Sequence, residues 1–226
     1  MKSINNYISE KLVINKNAGK IGYMYFPKTK QELQDIIEQR IKEEGNECDL
    51  NDIDVSKITN MSNLFKWSEF NGDISQWDVS NVITMYGMFH WSLFNKDISN
   101  WDVSNVKDMQ TMFDRSKFNQ DISQWDVRNV KDMNAMFYHA EFNQDISSWN
   151  VSNVRHTENM FSSSKFNQDI SSWNVSNVED MRYMFHNSNF NQNISNWKIS
   201  DKCKINNIFL KSPLEGKEQE WFGRIK

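Results

Sequence analysis

Cysteine is nearly absent. Cys48 and Cys203 are the only two in 226 residues, and they stand near opposite ends of the middle of the chain. A disulfide framework needs more cysteines at closer spacing in a smaller chain, so both are read as thiols outside any disulfide. Long apolar runs are missing as well. The first 19 residues, MKSINNYISEKLVINKNAG, hold no stretch long enough for a signal-peptide core, and no segment reads as a membrane span. A basic excess is also lacking. The chain carries 26 Lys and Arg against 30 Asp and Glu, and residues 46–213 hold 15 against 21, a balance of −6. Such a body lacks the cationic stripe that displaces counterions from phosphate, so nucleic acid is not an expected partner. HExxH, CxxC and P-loop motifs do not occur, nor does the glycine-rich calcium pattern of toxin-type repeats.

What the chain has is repetition. FNQDISSWNVSNV fills residues 142–154 and returns letter for letter at 166–178. Trp77, Trp101, Trp125, Trp149, Trp173 and Trp197 are 24 residues apart, as are Phe70, Phe94, Phe118, Phe142, Phe166 and Phe190. Counting each of these Phe as position 0, the unit reads F-N-x-D-I-S-x-W-D/N-V-S-N-V-x-x-M-x-x-M-F. A period in this range marks a repeat architecture, in which no unit buries its apolar face without a neighbour. The boundaries follow: an N-terminal cap over 1–45, a repeat solenoid over 46–211, and a C-terminal cap over 212–226. The solenoid comprises a partial coil at 46–69 and six units spanning 70–213.

Within the unit, apolar residues fall at positions 0, 4, 7, 9, 12, 15, 18 and 19. The W-x-V alternation at 7 and 9 predicts a short parallel strand, and the spacing 12, 15, 18, 19 predicts a short helix. Ser or Asn at positions 10 and 11 would cap that helix. Asn at position 1 would stack into a ladder bonded to the next coil's backbone, with Asp at 3 and Ser at 5 in turns. The caps are expected to be helical. Thr29 and Glu32 form a capping-box pattern ahead of an amphipathic helix over about 30–44 that stops at Gly45. Ser212, Pro213 and Glu215 signal a second helix start, with Trp221 and Phe222 placed to cover the last coil.

The unit FNQDISSWNVSNVEDMRYMF resembles the repeat of the BspA-type leucine-rich-repeat surface proteins over residues 49–209, and the block from Pro27 to Phe65 resembles that family's lead-in. The resemblance implies an α/β fold, a right-handed leucine-rich-repeat-like solenoid of 24-residue coils. It also implies placement on a bacterial surface and a role in adhesion or host contact. Without a visible signal peptide, a cytoplasmic placement stays open beside the surface one. One departure stands out. Val154 and Val178 occupy the place of the usual leucine-rich-repeat Asn, which sits one residue earlier.

Four candidate constellations stand out. The acidic row Asp78, Asp102 and Asp126 would either hold a cation such as calcium or form a solvated row partly neutralised by Arg128. The Trp row is either core or an aromatic platform for sugars. The four histidines match no zinc spacing and read as surface residues, so no metal and no cofactor is expected. Specificity is expected at the variable positions, which hold Trp67, Tyr86, His90, Trp91, Tyr138, His139, Tyr183 and His186, either as a partner-binding patch or as packing against the N-terminal cap. The functional expectation is a non-enzymatic, monomeric protein-interaction module, with an intracellular scaffold and a carbohydrate-binding protein as alternatives.

Overall fold

The computed structural model describes residues 22–223. The first 21 residues of the expected N-terminal cap and the last three of the C-terminal cap lie outside the described residues.

Helix α1 (Lys30–Glu44) opens the described chain. Thr29 Oγ1 accepts the Glu32 N–H at 3.2 Å, the Glu32 carboxylate accepts the Lys28 N–H at 2.7 Å, and Gly45 closes the helix with its N–H on Ile41 O. Leu33, Ile36 and Ile37 bury one stripe of α1. Arg40, on that buried side, donates both to the carboxylate of Asp52 and to the Asp49 carbonyl, which ties the helix to the first coil. At the other end a six-residue helix, α2 (Lys217–Phe222), sets Trp221 and Phe222 about 6 Å from the Phe209 ring.

Between the two helices the chain stacks coil upon coil in a 24-residue register. Isolated parallel bridges link Asn60, Thr84, Asp108, Asp132, His156, Asp180 and Lys204 in order, all at position 14. The expected α/β coil does not form. Among the described residues there is no strand beyond such bridges, and no helix other than α1 and α2. A leucine-rich-repeat-like coil with one strand and one helix is therefore the wrong description of this chain.

The reason lies in the turns. Trp77 N–H donates to Ile74 O, Val82 to Val79, Met88 to Met85 and Ser92 to Phe89, each three residues back. The apolar pairs 4 and 7, 9 and 12, and 15 and 18 are thus the two ends of successive β-turns, both facing inward. A side-chain oxygen just ahead of these first three kinds of turn accepts the N–H two residues on: Asp73 from Ser75, Asp78 from Ser80, and Asp108 from Gln110. Such Asx interactions offer the backbone an alternative to helix or sheet.

The Met-x-x-Met-Phe segment cannot be helical, because positions 17 and 21 are left-handed in every coil. Thr111 has φ 53°, Ala135 52° and Tyr183 58°. This conformation sends alternate N–H groups out of the coil. Met85, Gly87, Phe89 and Trp91 donate to Asp108, Gln110, Met112 and Asp114 of the next coil at 2.8–2.9 Å, and the other coils repeat the pattern. A short helix would satisfy its own N–H groups and leave the coils joined by side chains alone. The left-handed residues instead give every coil a backbone ladder to its neighbour.

Side-chain ladders add to it. The Asn71, Asn95, Asn119, Asn143 and Asn167 side-chain oxygens each accept the N–H of the Asn one coil on, at 2.8–3.0 Å. The position 11 asparagines do not cap helices. Asn105 and Asn129 donate from Nδ2 to the carbonyls of Ser80 and Ser104 in the coil before. The six Trp of position 7 are buried, and each donates its indole N–H at 2.9–3.1 Å to the position 4 carbonyl of the preceding coil. Trp77, Trp101 and Trp125, and again Trp149, Trp173 and Trp197, stack their rings in parallel at 6.4–6.5 Å. Two phenylalanine columns complete the core, and Phe113 and Phe118 meet at 4.2 Å where they touch. Gly72 stands where the later coils carry Lys or Gln, and a Cβ there would lie 1.9 Å from the Cys48 carbonyl oxygen. Cys48 and Cys203 are both buried.

Three outcomes check this account. Asn119→Ala removes an acceptor from the partly buried Asn143 N–H and should cost ~1–3 kcal/mol in urea unfolding, whereas Asn119→Asp keeps the acceptor and should cost less. Ala135→Gly relieves a left-handed alanine and should stabilise by about 0.5–1 kcal/mol. Gly87→Ala should destabilise, since its φ is 59° and its Cβ would meet Asn63 Oδ1 at 2.5 Å.

Candidate functional site

The left-handed residue at position 21 and the residue before it project from the same corner of each coil. Stacking brings these pairs into columns: Lys66–Trp67, His90–Trp91, Asp114–Arg115 and Tyr138–His139. The position 21 backbone is fixed by the scaffold, since the Trp67 N–H donates to His90 O and the Trp91 N–H to Asp114 O, both at 2.8 Å. The side chains are not. Trp67 is 71% exposed and Trp91 50% exposed, and Leu93 beside them is 49% exposed. Neither indole is therefore buried against helix α1.

Cations sit on these rings. Lys66 Nζ lies 4.4 Å from the centroid of Trp67. The Arg115 guanidinium carbon lies 5.0 Å from Trp91 and 5.1 Å from Tyr138. All three distances are within cation–π range. The Trp67 and His90 rings are 6.4 Å apart, and Tyr138 meets His139 edge-on at 4.3 Å.

Beneath the indoles lies a largely buried pair. His90 Nδ1 is 2.9 Å from Asp114 Oδ2, with the two side chains 19% and 10% exposed. Asp114 Oδ1 has no hydrogen-bond donor among the described residues, and Arg115 Nε approaches it only to 3.6 Å. Burial pushes the Asp114 carboxyl up to about 6, against the pull of Arg115 and Lys66. Burial, together with those two cations, holds His90 below the ordinary histidine range. His139 is lowered in the same sense, first by burial and then by Arg115 and His186.

Of the residues singled out in the sequence, the fold gathers Trp67, His90, Trp91, Tyr138 and His139 into one continuous stripe. Tyr86 stands apart at position 16, its N–H on Thr84 Oγ1. Tyr183 and His186 form a separate edge-on pair at 5.8 Å, with His186 Nδ1 3.3 Å from Ser162 Oγ. Lys66, Asp114 and Arg115 were missed. Their signal was the column itself, since aligning positions 20 and 21 over four coils places Asp114 and Arg115 between the His90–Trp91 and Tyr138–His139 pairs, with Lys66 beside Trp67.

The other candidates resolve differently. Asp78, Asp102 and Asp126 each accept the N–H two residues on, at 3.0–3.2 Å, as the lead-in of a turn. Among the described residues no group of three or more His, Cys, Asp or Glu is arranged to hold a metal. No helix among them is long and apolar enough to cross a membrane.

A 24-residue stack of turn-built coils, with one aromatic and cationic corner, defines a repeat protein whose variable residues ride on a fixed ladder. The chain belongs to the family described as "Mycoplasma protein of unknown function, DUF285", whose model matches residues 32–141 and again 115–221. No curated protein and no solved structure matches it.

The folded chain holds the Asp114 proton more tightly than the unfolded chain does. The contribution of Asp114 to stability therefore falls as pH rises from about 4 through 6, and the cost of its buried carboxylate is fully present above that. Asp114→Asn should be more stable than the parent at pH 8 by ~1–3 kcal/mol, with the gap closing toward pH 4, as read by urea unfolding across the range.

Proposed function

We propose that the chain is a non-enzymatic binding module that meets a protein partner through the stripe from Trp67 to His139. The observation that carries this reading is the pair of exposed indoles at scaffold positions that other coils fill with Ser163, Asn187 or Lys211. Left-handed backbone suits Asn far better than Trp, and exposed Trp adds nothing to the core. A chain selected for stability alone would place Asn at both sites. Strain and exposed apolar surface together point to a site retained for contact.

A sugar platform on the repeated Trp row has no support, because those six side chains are the core. Adhesion at a cell surface and scaffolding inside the cell would use the same stripe. Protease treatment of intact source cells separates them: cleavage without lysis supports adhesion, and protection until lysis supports the scaffold.

Trp67→Asn with Trp91→Asn should leave the thermal midpoint unchanged or raise it. The same pair should remove most of the acrylamide-quenchable, red-shifted fluorescence and weaken partner binding at least tenfold. A double variant that binds as the parent does would sink the proposal.

A further inference from the structure

The stripe carries chemistry that narrows its partner. Arg115 is clamped between the Trp91 and Tyr138 rings at 5.0 and 5.1 Å, and its side chain remains 35% exposed. A guanidinium held on both sides loses little further freedom when it meets a planar acceptor, which lowers the cost of binding. Among the described residues its acidic neighbour within ion-pair distance is Asp114, at 3.6 Å, whose other carboxylate oxygen lies 2.9 Å from His90 Nδ1. Lys66 adds a second charge above Trp67. The nearby acid Glu141 is taken up by Lys117 and Lys165. A cationic stripe is thus set on a coil region whose net charge is −6, as counted above, and an acidic ligand would be repelled elsewhere and steered to it.

We infer that the stripe docks an acidic peptide segment of the partner, with a carboxylate forked onto Arg115 and apolar side chains laid over Trp91, Trp67 and Leu93. The inference rests on the binding-module reading and names the ligand of the same surface. An arginine fork matches a carboxylate in two parallel hydrogen bonds, and the exposed apolar surface beside it matches aliphatic neighbours of that carboxylate.

The test is selection of a random dodecapeptide library, displayed on phage, on the full chain. The recovered sequences are then made as labelled peptides and titrated by fluorescence anisotropy. Expected are peptides enriched in Asp and Glu, with affinity that falls as salt rises. Arg115→Gln should weaken them tenfold or more, and Arg115→Lys should restore only part, because a lysine supplies charge without the fork. Recovery of neutral or basic peptides that depend on Trp67 and Trp91 but not on Arg115 would overturn the acidic-ligand inference and leave the binding module standing. Peptides indifferent to the Trp67→Asn, Trp91→Asn pair, or none recovered, would overturn both. Tighter binding of hyaluronan than of any recovered peptide would overturn the inference in favour of an anionic glycan. Unchanged thermal midpoints for the variants show that the fold is intact.

Discussion

The hydrogen bond that crosses from one coil to the next governs everything else in this molecule. Each coil leaves donors and acceptors at its edge, and they are satisfied only by a copy displaced by 24 residues. Backbone N–H groups at positions 15, 17, 19 and 21 go one way, and the Trp indole and position 11 Asn side chains go the other. Once that register is imposed, the side chains at 0, 7 and 19 fall onto their own copies and have to stack. The near-identity of the units is a consequence of the ladder, since any coil that altered a ladder residue would strand a buried partner in its neighbour. Helix α1 and helix α2 meet the same constraint at the two ends, where no further copy is available.

The register, the inward positions and the asparagine ladder were legible in the sequence, because period and burial depend only on which residues recur. The local backbone was not. W-x-V reads as a strand and M-x-x-M-F as a helical stripe when apolar spacing is taken alone. Yet Asp73-Ile74-Ser75-Gln76-Trp77, Asp78-Val79-Ser80-Asn81-Val82 and Asp108-Met109-Gln110-Thr111-Met112 follow one pattern. Each is a short polar acceptor, an apolar residue, two polar residues and a second apolar residue, which is the signature of a capped β-turn. Left-handed Thr111, Arg115 and Ala135 gave no warning, since none of these residue types favours that conformation. Tertiary hydrogen bonding imposed it over local preference.

Much the same holds for the stripe. Aromatic residues at variable positions were visible one by one, and five of the eight converge. The cations that give the surface its character were overlooked because each coil contributes only two residues to it. Arg115 belongs with Trp91 only when adjacent coils are read side by side. A surface built this way can change one coil's contribution without disturbing the next, because the scaffold positions that hold the register are different residues.

The two identical stretches at 142–154 and 166–178 bear on inheritance as well as on packing. An excision running from a point in one copy to the same point in the other removes one whole coil, and a duplication adds one. In either case every severed ladder bond meets an equivalent partner. Length is therefore a trait that can drift in steps of 24 residues with no new interface to invent. Those copies lie to the C-terminal side of Trp67, Trp91, Arg115, Tyr138 and His139. Such steps would move the far cap nearer or farther while leaving the aromatic corner intact, so a lineage could vary its reach without losing its grip.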